Sequence, residues 1–247
     1  MRKTRCAAAS LAVLPALLLA AACSGNSSNA DGSDTTPKST PSASATTAGK
    51  APLTKAQLTS ALVTTADVPG WTVQVSQTDA TDSQDNSTLT ADKPQCQPLA
   101  DITSSKPKIR RLAFVGAAFA KTTGQATPDQ IDQMLVASHA PGDAQKVIDS
   151  VKAALATCTT FNAVDNTGTK TPFAITKGPA VGTGDASASY VMTDTADKKT
   201  GAALVSVVKS GDTITAYLSV KSAGGAGQLP LDVARKQNDK LKAAQAG

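Results

Sequence analysis

Few side chains in this 247-residue chain are equipped for chemistry. There are four cysteines (Cys6, Cys23, Cys96 and Cys158), one histidine (His139), and 19 acidic residues, all of them aspartate. A Ser-His-Asp or Cys-His arrangement needs a histidine as its base. His139 sits in Ser138-His139-Ala140-Pro141, which reads as a strand-to-helix turn, where a lone histidine is expected at the surface. No Gly-x-Ser-x-Gly elbow is present. Hydrolysis between two facing carboxylates stays open to a chain with 19 aspartates, although most of these fall in turns and helix starts, where Asp caps the backbone. Metal sites call for three or four ligands, and Cys96, Cys158 and His139 are a thin set. The glycine-rich runs Gly178-Pro179-Ala180-Val181-Gly182-Thr183-Gly184 and Gly224-Gly225-Ala226-Gly227 lack the Lys-Ser/Thr of a phosphate-binding loop and read as loops. The expectation is no catalytic residue, no metal and no cofactor, with an unrecognised hydrolase the weakest of three functional readings.

The cysteines sort by place. Arg2, Lys3 and Arg5 precede an apolar run from Leu11 to Ala22 that is shorter than the roughly 20 residues a membrane span needs. A charged start, a short apolar run and small residues at its end read as a secretory signal over residues 1–22. Leu19-Ala20-Ala21-Ala22-Cys23 resembles a bacterial lipobox and makes Cys23 the expected lipidation site, although Ala20 stands where Leu is usual and Ala20-Ala21-Ala22 would also suit the ordinary signal peptidase. Cys6 leaves with the signal. Cys96 and Cys158 remain, an even pair in a chain bound for an oxidising compartment, so a disulfide is expected between them. Removing Arg2, Lys3 and Arg5 also lowers the net charge from +5 to +2, which argues against a nucleic-acid partner.

Residues 24–50 hold no hydrophobic side chain larger than alanine and cannot bury enough apolar surface to order themselves. Residues 23–50 are read as the lipidated cysteine and a disordered tether, with a reach of roughly 30 Å. Residues 51–247 suit a single domain.

Within that domain, apolar periodicity predicts a short helix from about Thr54, a strand over Trp71–Val75, and a short helix carrying Cys96, Leu99 and Ile102. The polar stretch Thr78–Lys93 reads as a long loop. Strands follow at Leu112–Ala120 and around Met134–Val136. Pro141 suits the first turn of a helix whose apolar face runs Ala144, Val147, Ile148, Val151, Ala154, Leu155 and Cys158. Strand patterns then cover Phe161–Val164, Thr171–Thr176 and Ala186–Met192. A hairpin joins Ala203–Val208 to Thr213–Val220 through Lys209-Ser210-Gly211-Asp212. A helix from about Pro230 closes the chain, with Leu231, Ala234 and Leu241 inward. Helices beside an antiparallel sheet make the class α+β. Trp71 is read as a core aromatic opening a strand rather than the floor of a ligand site. The densest basic run, Lys106-Pro107-Lys108-Ile109-Arg110-Arg111, is read as a solvated strand edge before a contact for anionic lipid or wall polymer.

The segments Leu58-Thr59-Ser60-Ala61-Leu62, Ala66-Asp67-Val68-Pro69-Gly70-Trp71, Cys96-Gln97-Pro98-Leu99 and Ala154-Leu155-Ala156-Thr157-Cys158-Thr159-Thr160-Phe161 resemble those of a group of actinobacterial (Streptomyces-type) lipoproteins. These are similar to the extracellular sensor domain of mycobacterial PknH-type serine/threonine kinases. The resemblance spans most of residues 53–245. It implies a twisted antiparallel sheet packed with helices around a cleft and pinned by disulfide. It departs in that the kinase sensor carries two disulfides where this chain can form one. The expected function is therefore a non-enzymatic sensor-like or ligand-binding domain, lipid-anchored on the outer face of the cell membrane. Its expected partners are the membrane, through the anchor, and a small-molecule, lipid or cell-wall ligand. The alternative is a structural protein that docks another envelope protein and takes no small ligand.

Overall fold

The computed structural model describes residues 51–76, 88–122, 124, 127–199 and 201–247, all within the unit Thr47–Gly247. The signal segment 1–22, Cys23 and the tether 23–50 lie outside the described residues, as does 77–87 of the expected loop.

Among the described residues nine strands form one antiparallel sheet: β1 Trp71–Val75, β2 Thr90–Ala91, β3 Ala113–Lys121, β4 Gln130–Ser138, β5 Thr160–Val164, β6 Lys170–Lys177, β7 Ala186–Asp194, β8 Ala202–Ser210 and β9 Thr213–Lys221. Their spatial order is β1-β3-β4-β9-β8-β7-β6-β5-β2. Four helices pack on it: α1 Lys55–Ala61, α2 Gln97–Asp101, α3 Asp143–Thr157 and α4 Leu231–Ala246. The expected mixed class holds, weighted towards sheet. Among the described residues no helix is long and apolar enough to cross a membrane.

Strand alternation splits the core into two clusters on opposite faces. On one face Trp71, Val115, Phe119, Met134, Val136 and Tyr217 pack with α1 and α4. On the other, Phe161, Ile175, Tyr190, Val205 and Val207 pack with α2 and α3. The register confirms the sidedness, since Phe119 pairs with Val73 and Asp132, whereas Tyr190 pairs with Val205. Among the described residues, helices cover each face over one half: α1 and α4 over β1, β3, β4 and β9, and α2 and α3 over the β5–β9 half.

Local chemistry sets the helix ends. Thr54 caps α1 in a reciprocal capping box with Gln57. α3 starts at Asp143 behind Gly142, whose φ of 82° puts a left-handed residue at the cap, so Pro141 precedes the helix instead of opening it. Trp71 is buried edge-on to Phe119, with ring centroids 5.9 Å apart, and its Nε1 donates to Asp232 at the start of α4. It is a core residue. Cys96 and Cys158 form the expected disulfide, tying the start of α2 to the end of α3.

Three expectations are corrected. Leu231 is 39% exposed; α4 turns Val233, Ala234, Gln237, Asn238 and Leu241 inward, because its buried stripe includes two amides that hydropathy does not flag. The end of the supposed loop Thr78–Lys93 contains β2, which pairs with β5. The basic run 106–111 is not a strand edge, since β3 begins only at Ala113.

Candidate functional site

The two uncovered half-faces differ in kind. On the α1/α4 face, the half formed by β5, β6 and β7 is mixed: Thr160, Asn162, Lys170, Thr176, Ser187 and Thr193 alternate with the half-buried Val164, Pro172, Ala174 and Val191. On the α2/α3 face, the half formed by β3, β4 and β9 presents Phe114, Ala118, Ile131, Leu135, Ala216 and Leu218. Ile131 is 47% exposed. Among the described residues no helix lies over this mainly apolar strip, and such a strip marks an interaction surface.

That strip is the floor of a cleft of about 490 Å³. One wall is the segment Ile102–Ser105 that leaves α2; Ser76, just past β1, stands opposite. The middle of the floor is Gly116, which pairs with Leu135, which in turn pairs with Ala216. A Cβ on Gly116 would lie 3.2 Å from Ser76 Oγ, so a side chain there would crowd the end of the cleft. The volume falls in the roughly 300–1,000 Å³ range of small-molecule sites. A second groove of about 670 Å³ runs between α3 and the segment after β6; its walls mix exposed Lys152, Lys177, Pro179 and Gly182 with buried Val181 and Ser189, and it has no cation set against an apolar strip.

Arg111 stands inside the cleft wall. The basic run alternates: Lys106, Lys108 and Arg110 are exposed, while Pro107, Ile109 and Arg111 turn towards the sheet. The Arg111 guanidinium donates Nη1–H to Ser104 O at 2.9 Å, and Nη2–H to Asp101 O and Ile102 O, both at 3.0 Å. These are carbonyls in and beyond the last turn of α2, the end where a cation is favoured. Burial lowers the guanidinium to about 10, partly offset by the Asp101 charge. The Asp101 carboxylate itself accepts from Gln97 Nε2 at 2.7 Å and from Lys108 N.

Beneath the cleft, a cavity of about 30 Å³ has room for little more than one water. Asp101, His139 and Ser150 all line it, a set whose residue types could form a triad. The bonding is otherwise: Ser150 Oγ donates to Val147 O, His139 Nδ1–H donates to Arg110 O at 3.1 Å, and Asp101 is occupied as above. His139 is 2% exposed, which corrects the surface reading: the turn is roofed by the basic segment, and Pro107, Ile109 and Val147 share the same cavity. The described lining of the larger cleft contains no carboxylate, histidine or cysteine.

Burial, reinforced by the Arg111 charge, holds His139 below its ordinary 6.5, so the folded state keeps it neutral. The unfolded chain takes up a proton as pH falls through 6.5 and the folded chain does not, so this share of stability is complete above 6.5 and is lost on acidification towards the folded value. Burial raises the Asp132 carboxyl, which acts with the opposite sign on acidification, so the His139 share is read as a difference: between pH 7 and pH 5 the melting temperature of wild type is expected to drop relative to that of His139→Gln. A carboxylate held at about 2 by its bond to Lys240, Asp67, acts in a lower window and does not confuse the test.

The solved structures bear on the fold. Over 81% of this chain and 100% of the other, the structure superposes on the crystal structure of the extracellular domain of PknH from Mycobacterium tuberculosis with a TM-score of 0.52 at 12% identity. The two share a fold. At that identity the likeness carries no residue roles and no ligand. No family model matches the chain, and no curated protein does, so membership of an actinobacterial lipoprotein group has no support beyond the short segments quoted above. Of the residues singled out in the sequence, the structure brings together Cys96 and Cys158, buries Trp71 and His139, and leaves Cys23 undescribed. The cleft residues Gly116, Ala118, Leu135 and Ala216 carried no local signal. They become a site only through the pairing of strands distant in sequence. Arg111 had a signal, the Lys/Arg alternation over 106–111, whose inward-facing half sets it apart from its neighbours.

Proposed function

We propose that the chain is a non-enzymatic binding protein of the cell envelope, exported and held to the outer face of the membrane by a lipid on Cys23, whose domain takes a small ligand into the cleft over β3, β4 and β9. The observation that carries this reading is the cleft itself: the mainly apolar strip of β3, β4 and β9 is walled by Ile102–Ser105, whereas the other half-face is mixed in character. The fold shared with an extracellular domain is consistent with it. Ala118 lies on the cleft floor, half-buried. Its replacement by Trp fills the space from a position with room above it, so Ala118→Trp is expected to abolish retention of small molecules from an envelope extract, read by mass spectrometry after washing, with melting temperature within a few degrees of wild type. Equal retention by both proteins would remove the cleft from consideration. The second reading, a docking surface for another envelope protein, draws on the exposed Ile131 beside the same strip. It would gain if the domain retained no small molecule but captured one defined protein through that face.

The anchor has its own test. Cys23→Ala is expected to shift the protein from the membrane fraction to the medium, or to stall its processing. A wild-type protein found unlipidated, with Cys23 a free thiol, would contradict the anchor and leave the cleft reading untouched.

A further inference from the structure

A half-buried cation facing an apolar strip is a recognition element for one class of molecule. Arginine has five N–H donors. Three donor contacts are made to the carbonyls of Asp101, Ile102 and Ser104 through Nη1 and Nη2, which leaves Nε–H and one Nη1–H without an acceptor among the described residues. No described carboxylate lies within ion-pair distance of the guanidinium, and the nearest acid in sequence, Asp101, spends its oxygens on Gln97 and on the Lys108 backbone. Half-buried in the cleft wall, the guanidinium keeps donors that an anion entering the cleft can take. Around it, Lys106, Lys108 and Arg110 are exposed, and no acidic residue interrupts residues 102–128, so the field at this end of the cleft is positive. Away from Arg111 the floor turns to glycine, alanine and leucine, with no charge at all on the described lining.

Resting on the ligand-binding reading above, we infer that the cleft takes a single-chain amphiphile with one anionic head, the head against Arg111 and the hydrocarbon tail along the strip of Gly116, Ala118, Leu135 and Ala216. Each half of that ligand meets its complement. The anion completes the guanidinium with charge-assisted hydrogen bonds, and the tail covers apolar sheet that no helix covers among the described residues. The three carbonyls already bound fix the guanidinium in place, so little side-chain freedom is lost when the anion arrives.

The test uses residues Thr47–Gly247, which form a compact unit with both hydrophobic clusters intact, and three probes below micelle-forming concentration: dodecanoate, 1-dodecanol and inorganic phosphate. Binding is followed by calorimetry and by native mass spectrometry. Dodecanoate should bind one molecule per domain, at least tenfold tighter than dodecanol, with phosphate showing no saturable binding. Ala118→Trp should lose dodecanoate at least tenfold by blocking the tail. Arg111→Met should bring dodecanoate down to the level of dodecanol. Because Arg111→Met also strips three carbonyls of their donor, Arg111→Lys is the companion: it keeps the charge and should keep more than half of the preference for the acid over the alcohol. Equal binding of acid and alcohol to wild type, or dodecanoate binding unchanged by both Ala118→Trp and Arg111→Met, would overturn the inference. If neither probe binds while the wild type still retains a molecule from envelope extract that Ala118→Trp does not, the anionic amphiphile is overturned and the cleft stands as a binding site. If nothing is retained at all, both fall.

Discussion

Replacing Cys96 and Cys158 together by serine is expected to lower stability by about 4 kcal/mol. The disulfide closes a loop of 62 positions, and the loss of chain entropy on closing such a loop in the unfolded state is worth roughly that amount. The consequence is local as well as global. α2 has only five residues, too few to persist on propensity alone. It is held by the Cys96–Cys158 link, by the Tyr190 hydroxyl donating to Leu99 O at 3.0 Å, and by Gln97, whose side chain accepts from Ala91 N and donates to Leu89 O. The segment 102–105 that walls the cleft, and the carbonyls that seat Arg111, follow directly from α2. The double-serine protein should therefore unfold at lower urea and also bind more weakly in the cleft. Chemical denaturation of oxidised and reduced wild type gives the same comparison without mutation. A difference below about 1 kcal/mol, or two alkylatable thiols in the native oxidised protein, would contradict it.

Gln237→Ala should cost about 2–4 kcal/mol. Gln237 is fully buried on α4, and its amide bridges to the end of α1, accepting from Val63 N and donating to Ala61 O, both at 2.9 Å. Truncation leaves a buried N–H and a buried C=O without partners, each costing about 1–3 kcal/mol, and opens a void between two helices. The neighbouring Lys236 is exposed, and Lys236→Ala should stay within about 0.5 kcal/mol of wild type. Urea denaturation of both variants decides it; equal midpoints for the two would mean that α1 is held by its apolar contacts alone.

These two sites show what could be read from residue order and what could not. The disulfide was legible because, with Cys6 read as part of a signal and Cys23 as an anchor, Cys96 and Cys158 have only each other. The β8–β9 hairpin was legible because its β-rich runs flank a turn with Gly211, which adopts φ 57° there. α3 was legible from its spacing of three and four. Gln237 was not, since an amide at a buried helix position looks like any surface glutamine until the carbonyl of Ala61, 176 positions away, is brought to it. His139 was misplaced because its neighbours Ala140 and Pro141 mark a turn correctly, while the roof over that turn comes from residues 107–111. The cleft was the least legible of all. Gly116, Leu135 and Ala216 sit on three strands whose adjacency β3-β4-β9 requires a long crossover from β4 to β9, and an apolar strand residue announces burial without saying whether a helix will cover it.

The central claim, that ligand enters the cleft over β3, β4 and β9, is tested most directly by mapping backbone amide chemical shifts of Thr47–Gly247 during titration with an envelope lipid extract. The expected result is a set of shifts concentrated on Ile102–Ser105, Arg111, Phe114–Ala118, Gln133–Leu135 and Ala216–Leu218, the residues of the cleft floor and wall. Shifts concentrated instead on the groove of Lys177–Gly182 and Ser187–Ser189, or no shifts at saturating extract, would contradict it.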